Sequence, residues 1–575
     1  MPAPVHRPLR RLRTLAIVFV VAAGTRAGYG QVGRAALRDA SLAAALDALP
    51  VGDIEALVVV NDLRRASAEV SGLLDGMDRS DLLIGARPID HFKSMFGAAN
   101  AVNDLGTLLI AIMPPAAGAP EGARPGTVIV VPVTDAEGFL NNFNPASEPG
   151  HYDVLGLGRM RARAAGTHVL ITPDLPVETL VPRGEGGGAW LALSMGTGVR
   201  ARLRQGEIAF LVSETRMNAG DVRFPAWIAD RLPAPAPLTA SLADAGWAVM
   251  RGAGATAGIT VFDLDPLALI ARKTVRVPRA EVGSTPLPGP SLGRLPARPY
   301  HFAATVDVRA DLLAPVGVFL EELVGASGGD LLGRWRSIGT RLQIAVHPPP
   351  AGLEGGMISE GVMVLDTSDP DAARAAFEQA VLGAGEHDSG IVFSGDWRED
   401  HEIRGVGRFD AWSVDIREWP AETPPLKPAL FSMIFGRSGA AGIVTTAPGA
   451  LIVTFGRRAA HVRSVIAAAN GTAPALEADP VIDVMRQWLP AGRVAEAYIA
   501  SGDLAAVLAR ELPLLPGHAD WLVPAIEPGQ PPVGFGLQRT PEAFHAVTII
   551  PAGVATGAID HLRKRMQRRT PEEGS

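Results

Sequence analysis

The chain has 575 residues, 47% of them hydrophobic and 20% charged, with a net charge of -7. That length supplies apolar material for about two to four domains, and its acidic balance excludes the basic face a nucleic-acid binder needs. With no cysteine, disulfides, thiol nucleophiles and Cys-ligated metals or clusters are excluded, and stability must come from burial.

Residues 1–30 read as a signal peptide. Arg7, Arg10, Arg11 and Arg13 precede an apolar run from Leu15 to Ala23, and small residues lead to Ala27 and Gly30. A cationic start, a short apolar stretch and a small-residue exit mark an export signal. The run is short of the ~20 residues a spanning helix needs. An exported protein, periplasmic or extracellular, is therefore expected, with anchoring by an uncleaved signal as the alternative and no stable membrane insertion after cleavage.

From Leu49 a unit begins that occurs three times. Leu57 to Val60 is an apolar run followed by Asn61-Asp62, Phe302 to Val308 precedes Asp311, and Val494 to Ala500 precedes Asp503. Short apolar, β-branched runs predict strands. After each Asp the period becomes helical, with Leu63, Ala66, Val70, Leu73 and Met77 on one face, and each Asp is placed as an N-cap. A tighter match joins IAIMPP, ending at Pro115, to IAVHPP, ending at Pro349. The apolar runs Val128–Val131 and Val362–Leu365 follow, then Asp135 with Phe143 and Asp369 with Phe377. Corresponding strand-to-helix units at equal offsets indicate an internal duplication.

The expected organisation is residues 31–182 as a first long unit, 189–285 as a short one, 295–470 as a duplicate of the first, 485–567 as a duplicate of the second, and 568–575 as a disordered tail. PRGEGGG at 182–188 and the Pro/Gly-rich 285–299 read as joints. Mixed strands and helices with hairpins, one turning at Thr540-Pro541-Glu542, favour an α+β class, mainly antiparallel sheets with helices on one face. A parallel α/β sheet is the alternative, since several units run strand-then-helix.

Four stretches invite chemistry. In AWLALSMGTG, the run Trp190–Leu193 before Ser194 loosely resembles a nucleophile elbow, which needs a strand before the Ser and a helix after it. The bland reading is a short helix between strands. EHDSGIVFSGDWREDHE gathers His387, Asp388, Asp396, Glu399, Asp400 and His401, residue types that ligate metals, against the reading of a solvated loop. FDLDP places Asp263 and Asp265 on one strand face, or simply ends a strand before a Pro turn. The basic tail, Arg563 to Arg569, complements a helix C-terminus.

With its signal, its Leu-Pro/strand/Asp-Leu/helix units and strings such as VVPVTDAEGFLNNF at 130–143, the chain resembles a loose group of uncharacterised exported bacterial proteins. The resemblance implies a tandem α+β architecture and no known activity. The expected role is a non-catalytic binding, scaffold or interaction protein of the cell envelope, without a cofactor, meeting an envelope protein or a small ligand. The alternative is an envelope hydrolase using Ser194 or a metal held within 386–402 by His387, Asp396, Asp400 and His401.

Overall fold

The computed structural model describes residues 31–77, 79, 87–96, 101–114, 126–146, 148, 150–154, 158–173, 175–195, 199–203, 206–212, 257–277, 289, 291–308, 327–349, 356–385, 391–423, 425–437, 439–512 and 523–568. The signal segment, Asp311, His387 and the last seven residues lie outside these. The chain groups into two compact units. Residues up to 224 with 254–280 and 541–545 form the first, and the remainder forms the second.

In the first unit, Ala56–Val60 (β1) is buried at all five positions. That is what five consecutive apolar residues require when both faces of a sheet are covered. Around it lie Leu108–Met113 (β2), Gly126–Pro132 (β3), Asn144–Pro145 (β4), His151–Val154 (β5), Gly158–Ala165 (β6), His168–Thr172 (β7), Ile208–Val212 (β8), Ala257–Asp265 (β9) and Ala268–Arg276 (β10). They pair antiparallel throughout, in the order β10–β9–β8–β1–β2–β3–β7–β6–β5–β4.

Helices cover both faces of this sheet. Leu42, Ala45 and Leu46 of Gln31–Ala48 (α1) pack with Leu57, Val59, Ala111 and Leu211 on one side. On the other, Leu63, Ala66, Val70 and Leu74 of Leu63–Gly76 (α2), Phe92 of Pro88–Met95 (α3) and Phe139 of Ala136–Leu140 (α4) pack with Val58, Val60 and Val131. Gly187–Met195 (α5) and Val199–Leu203 (α6) join the first side through Leu191, Val199 and Leu203. Helices on one face only, as expected, would have left half of β1 and β7 in water. Nor is PRGEGGG a slack joint: a Cβ on Gly187 would lie 2.2 Å from Leu46 O, so the glycine lets α5 start against α1.

The second unit contains Phe302–Asp307 (β11), Gly339–Val346 (β12), Gly361–Thr367 (β13), Val392–Ile403 (β14), Gly407–Glu418 (β15), Ala440–Ala447 (β16), Ala450–Thr454 (β17), Ala495–Ile499 (β18) and Val533–Arg539 (β19). Its order is β19–β18–β11–β12–β13–β17–β16–β15–β14, again antiparallel. Antiparallel sheets with packed helices make the class α+β and set aside the parallel alternative. Ala543–Pro551 (β20) follows β19 across Thr540-Pro541-Glu542, where the sequence places a turn.

One face of the second sheet is an aromatic core. Trp335 of Ser327–Ile338 (α7) stacks on Phe377 of Pro370–Leu382 (α8) with centroids 6.1 Å apart, and Phe377 meets Trp412 edge-on at 5.4 Å. Leu426–Phe435 (α9) contributes Phe435. Ala459–Ala469 (α10) and Pro480–Arg486 (α11) bond to the residues of the opposite face, and Ser501–Glu511 (α12) and Ala552–Arg568 (α13) complete the helices described here. Among the described residues no helix is long and apolar enough to cross a membrane.

The capping Asp residues divide. Asp62, Asp135 and Asp369 accept backbone N–H bonds from Arg65, Glu137 and Ala372 at the starts of α2, α4 and α8. Asp503 does not cap: α12 begins two residues earlier, and its carboxylate accepts from Gly529 N instead.

Candidate functional site

Alternate residues of a strand share a face, so the second sheet can be read row by row. Leu342, Ile344 and Val346 of β12 face the aromatic side. Arg341, Gln343, Ala345 and then His347 face the other. By register, Tyr498–Ala303–Ala345–Val362 form one row of that face, and Glu496–Thr305–Gln343–Val364 the next. His301 and His347 lie one residue beyond the paired ends Phe302 and Val346, where His301 N donates to Val346 O at 2.8 Å. Glu360 continues the row, and its carbonyl accepts from His347 N at 3.3 Å.

Three carboxylates on this face, Glu360 and Glu496 buried and Asp366 partly exposed, are each held by two arginines. Asp366 takes Arg294 Nε at 2.7 Å and Arg341 at 3.6 Å. Glu496 takes Arg486 from α11 and Arg493 Nε at 2.6 Å. Glu360 receives Arg458 through Nε and a second nitrogen, both at 2.8 Å, and Arg298 at 3.1 Å. Such forked pairs fix both partners' orientation. Burial alone would raise the Glu360 pKa, but Arg458, His461 and Arg298 together hold it below the ordinary value.

The histidine tautomers follow from their partners. His461, on α10, points Nε2 at Gly361 O at 3.2 Å, so that nitrogen carries the hydrogen, and Nδ1 accepts from Arg298 at 3.2 Å. His347 sets Nδ1 against Pro299 O at 2.8 Å, so Nδ1 carries the hydrogen and Nε2 presents a bare lone pair. Burial keeps both rings neutral, down at about 4 from 6.5. Burial also lowers the His301 pKa.

Among the described residues, both ring nitrogens of His301, Nε2 of His347, the Thr305 hydroxyl and the Tyr498 hydroxyl have no hydrogen-bond partner at normal geometry. Tyr498 does lie beside the Arg486 guanidinium. These side chains ring the small residues Ala303 and Ala345, both 0% exposed. Four neighbouring orphaned groups on one buried face are unusual, since buried polar atoms are nearly always paired. Chemically the patch offers one fixed acceptor, one imidazole able to give or take a hydrogen, and two hydroxyls. It can hold a hydrogen-bonding group, and it contains no activated nucleophile.

The residues singled out in the sequence lie elsewhere. Ser194 is in the last turn of α5, so the run before it is helix and lacks the strand an elbow requires. Asp396 pairs with Arg398 at 2.8 Å, both side chains more than half exposed. Asp400 sits at φ 53 beside the irregularity that separates Arg398 from His401 on β14. Among the described residues no three His, Asp or Glu side chains gather as a metal would need. Asp263 is paired to Arg272 at 2.5 Å and Asp265 accepts from Leu267 N, so FDLDP ends a strand at a turn.

Sequence reasoning passed over Glu360, His301, His347, His461, Arg298 and Arg458. The available signal lay along β12 and the residue after it, where polar Arg341, Gln343 and His347 alternate with Leu342, Ile344 and Val346.

No family model and no curated protein matches the chain. Among solved structures, crystal form I of TP0453 aligns over 49% of this chain and 99% of its own at 11% identity with a TM-score of 0.23, a likeness too slight to define a fold.

Proposed function

We propose that this is an exported, non-catalytic binding protein of the cell envelope, built by internal duplication, with its ligand site on the polar sheet face of the second copy. Residues 1–30 act as the export signal in this reading. The duplication is supported by the strand orders: subtracting ten from every label of the second order returns the first from β9 to β4. IAIMPP and IAVHPP fall at the ends of the matching strands β2 and β12.

The observation that carries the binding role is what the second copy has given up. At matched positions the first unit buries Leu57, Val59, Met113 and Leu211, whereas the second carries Ala303, Thr305, His347 and Tyr498. Each large apolar side chain buried is worth about 1.5–3 kcal/mol, and each unpaired buried polar group costs about 1–3 kcal/mol. Stability alone gives no reason for that exchange. A ligand that completes the unpaired groups does.

Native mass spectrometry of the mature protein, gently purified from the envelope fraction of its own host, tests this. A discrete extra mass that disappears in His347→Met, the residue at the matched position of the first unit, is expected. A bare mass in both proteins refutes the binding role, and a mature N-terminus far from residues 27–30 refutes the export signal.

A further inference from the structure

In the second unit the end of β15 and the C-terminal end of α9 enclose a cavity of about 280 Å³. The register explains its place. β16 pairs with β15 only from Asp410 to Val414. Asp415 and the residues after it therefore have β14 on one side and, among the described residues, no strand on the other. The chain returns from α9 to β16 past this overhang. Gly439, at φ 77, makes the close approach possible, since a Cβ there would lie 2.3 Å from Val414 O and 2.9 Å from Asp415 Oδ1.

The apolar lining is Ile416, Trp419 and Phe431, the two rings meeting edge to face with centroids 5.8 Å apart. All three are only half-buried, although they extend the aromatic side of the sheet. Two charges line the same cavity, a half-buried Asp415 and an exposed Arg437. Among the described residues neither side chain has an ion-pair or hydrogen-bond partner, and they do not pair with each other. Neighbouring charges are committed elsewhere. Arg417 acts on Asp415 through space but donates to Ser394 Oγ at 3.1 Å, and Asp396 is held by Arg398. Burial raises the Asp415 pKa, with Arg417 opposing and Asp396 adding to the rise.

An unpaired carboxylate, an unpaired guanidinium and two aromatic rings around one cavity are complementary to a molecule that carries both charges. An ammonium group is drawn by the carboxylate, by the ring faces and by the negative end of the α9 dipole. A carboxylate on the same molecule suits the guanidinium fork, and an apolar part between them suits the rings. The volume lies at the small end of ligand sites. We propose that this cavity is a second ligand site, distinct from the polar sheet face, and that it takes a zwitterion of amino-acid size with an apolar side chain, its ammonium on Asp415 and its carboxylate on Arg437.

Equilibrium dialysis of the full chain against L-leucine, L-phenylalanine, phenethylamine and 3-phenylpropionate tests this. Binding of at least one amino acid is expected, with the two singly charged analogues about tenfold weaker or worse. Asp415→Asn keeps the side chain's shape and should weaken the amino acid by about tenfold while leaving 3-phenylpropionate unchanged. Arg437→Gln should weaken it similarly while leaving phenethylamine unchanged. A wild-type chain that binds neither amino acid up to about 10 mM overturns the proposal whether or not the variants fold. Phenethylamine bound as tightly as L-phenylalanine, or an amino acid bound equally well by Asp415→Asn, overturns it too.

Discussion

Acid should unfold the second unit well before its carboxylates titrate. His347 and His461 are both 0% exposed and held neutral by burial, at about 4 against 6.5 in an unconstrained chain. Below pH 6.5 the unfolded chain takes up protons that the folded one refuses. Stability that is whole above 6.5 is therefore lost as the pH falls toward about 4. A difference of roughly 2.5 pH units at about 1.4 kcal/mol per unit gives about 3.5 kcal/mol for the first histidine. The second adds to this, and the repulsion of each charged ring by the other and by Arg298 makes the folded chain still more reluctant to take both protons. The assay is the urea midpoint, followed by tryptophan fluorescence, to which the buried Trp335 and Trp412 of this unit contribute, at steps between about pH 7.5 and 4. In wild type the midpoint should fall steadily below about 6.5. In His347→Gln, whose amide can still donate to Pro299 O, the fall should be shallower by about one proton's slope. A wild-type midpoint that stays level down to about 4.5, or a variant with an unchanged slope, would refute the reasoning.

Other perturbations have equally definite outcomes. Phe377→Ala removes the ring wedged between Trp335 and Trp412 and should cost about 3–5 kcal/mol by urea denaturation. Gly442→Ala would set a Cβ 1.6 Å from Thr454 O. The strand pair there must separate, and a loss of about 3 kcal/mol or more in the same assay is expected. Asp62 caps α2 from φ 49. Asp62→Ala should lose about 1–2 kcal/mol through cap and backbone together, whereas Asp62→Asn should lose under about 0.5 kcal/mol, both read from thermal midpoints.

How far the sequence reaches depends on whether a residue's role is local. Asp62, Asp135 and Asp369 cap helices because their own neighbours dictate it, and Leu63, Ala66, Val70, Leu73 and Met77 are all buried as their spacing implies. Asp503 failed the same test because its partner, Gly529, is 26 residues away. Trp190–Leu193 read as a strand-like run, but an apolar stretch buried against α1 serves a helix as well. The candidate site is non-local almost throughout. Glu360 meets Arg298 and Arg458, 62 and 98 residues distant. No spacing rule joins such pairs; only the polar alternation along β12 could have raised the question.

The contrast between the two sheets also bears on temperature. Apolar surface exposed on unfolding raises the heat capacity and polar surface lowers it. The first unit, apolar on both sheet faces, should therefore have the more curved stability profile and weaken sooner on cooling. The second, with arginine–carboxylate pairs along one face, should vary less with temperature, because the dehydration penalty opposing ion pairs falls as water warms. Two halves that share a strand order would then respond to heat and cold as different materials.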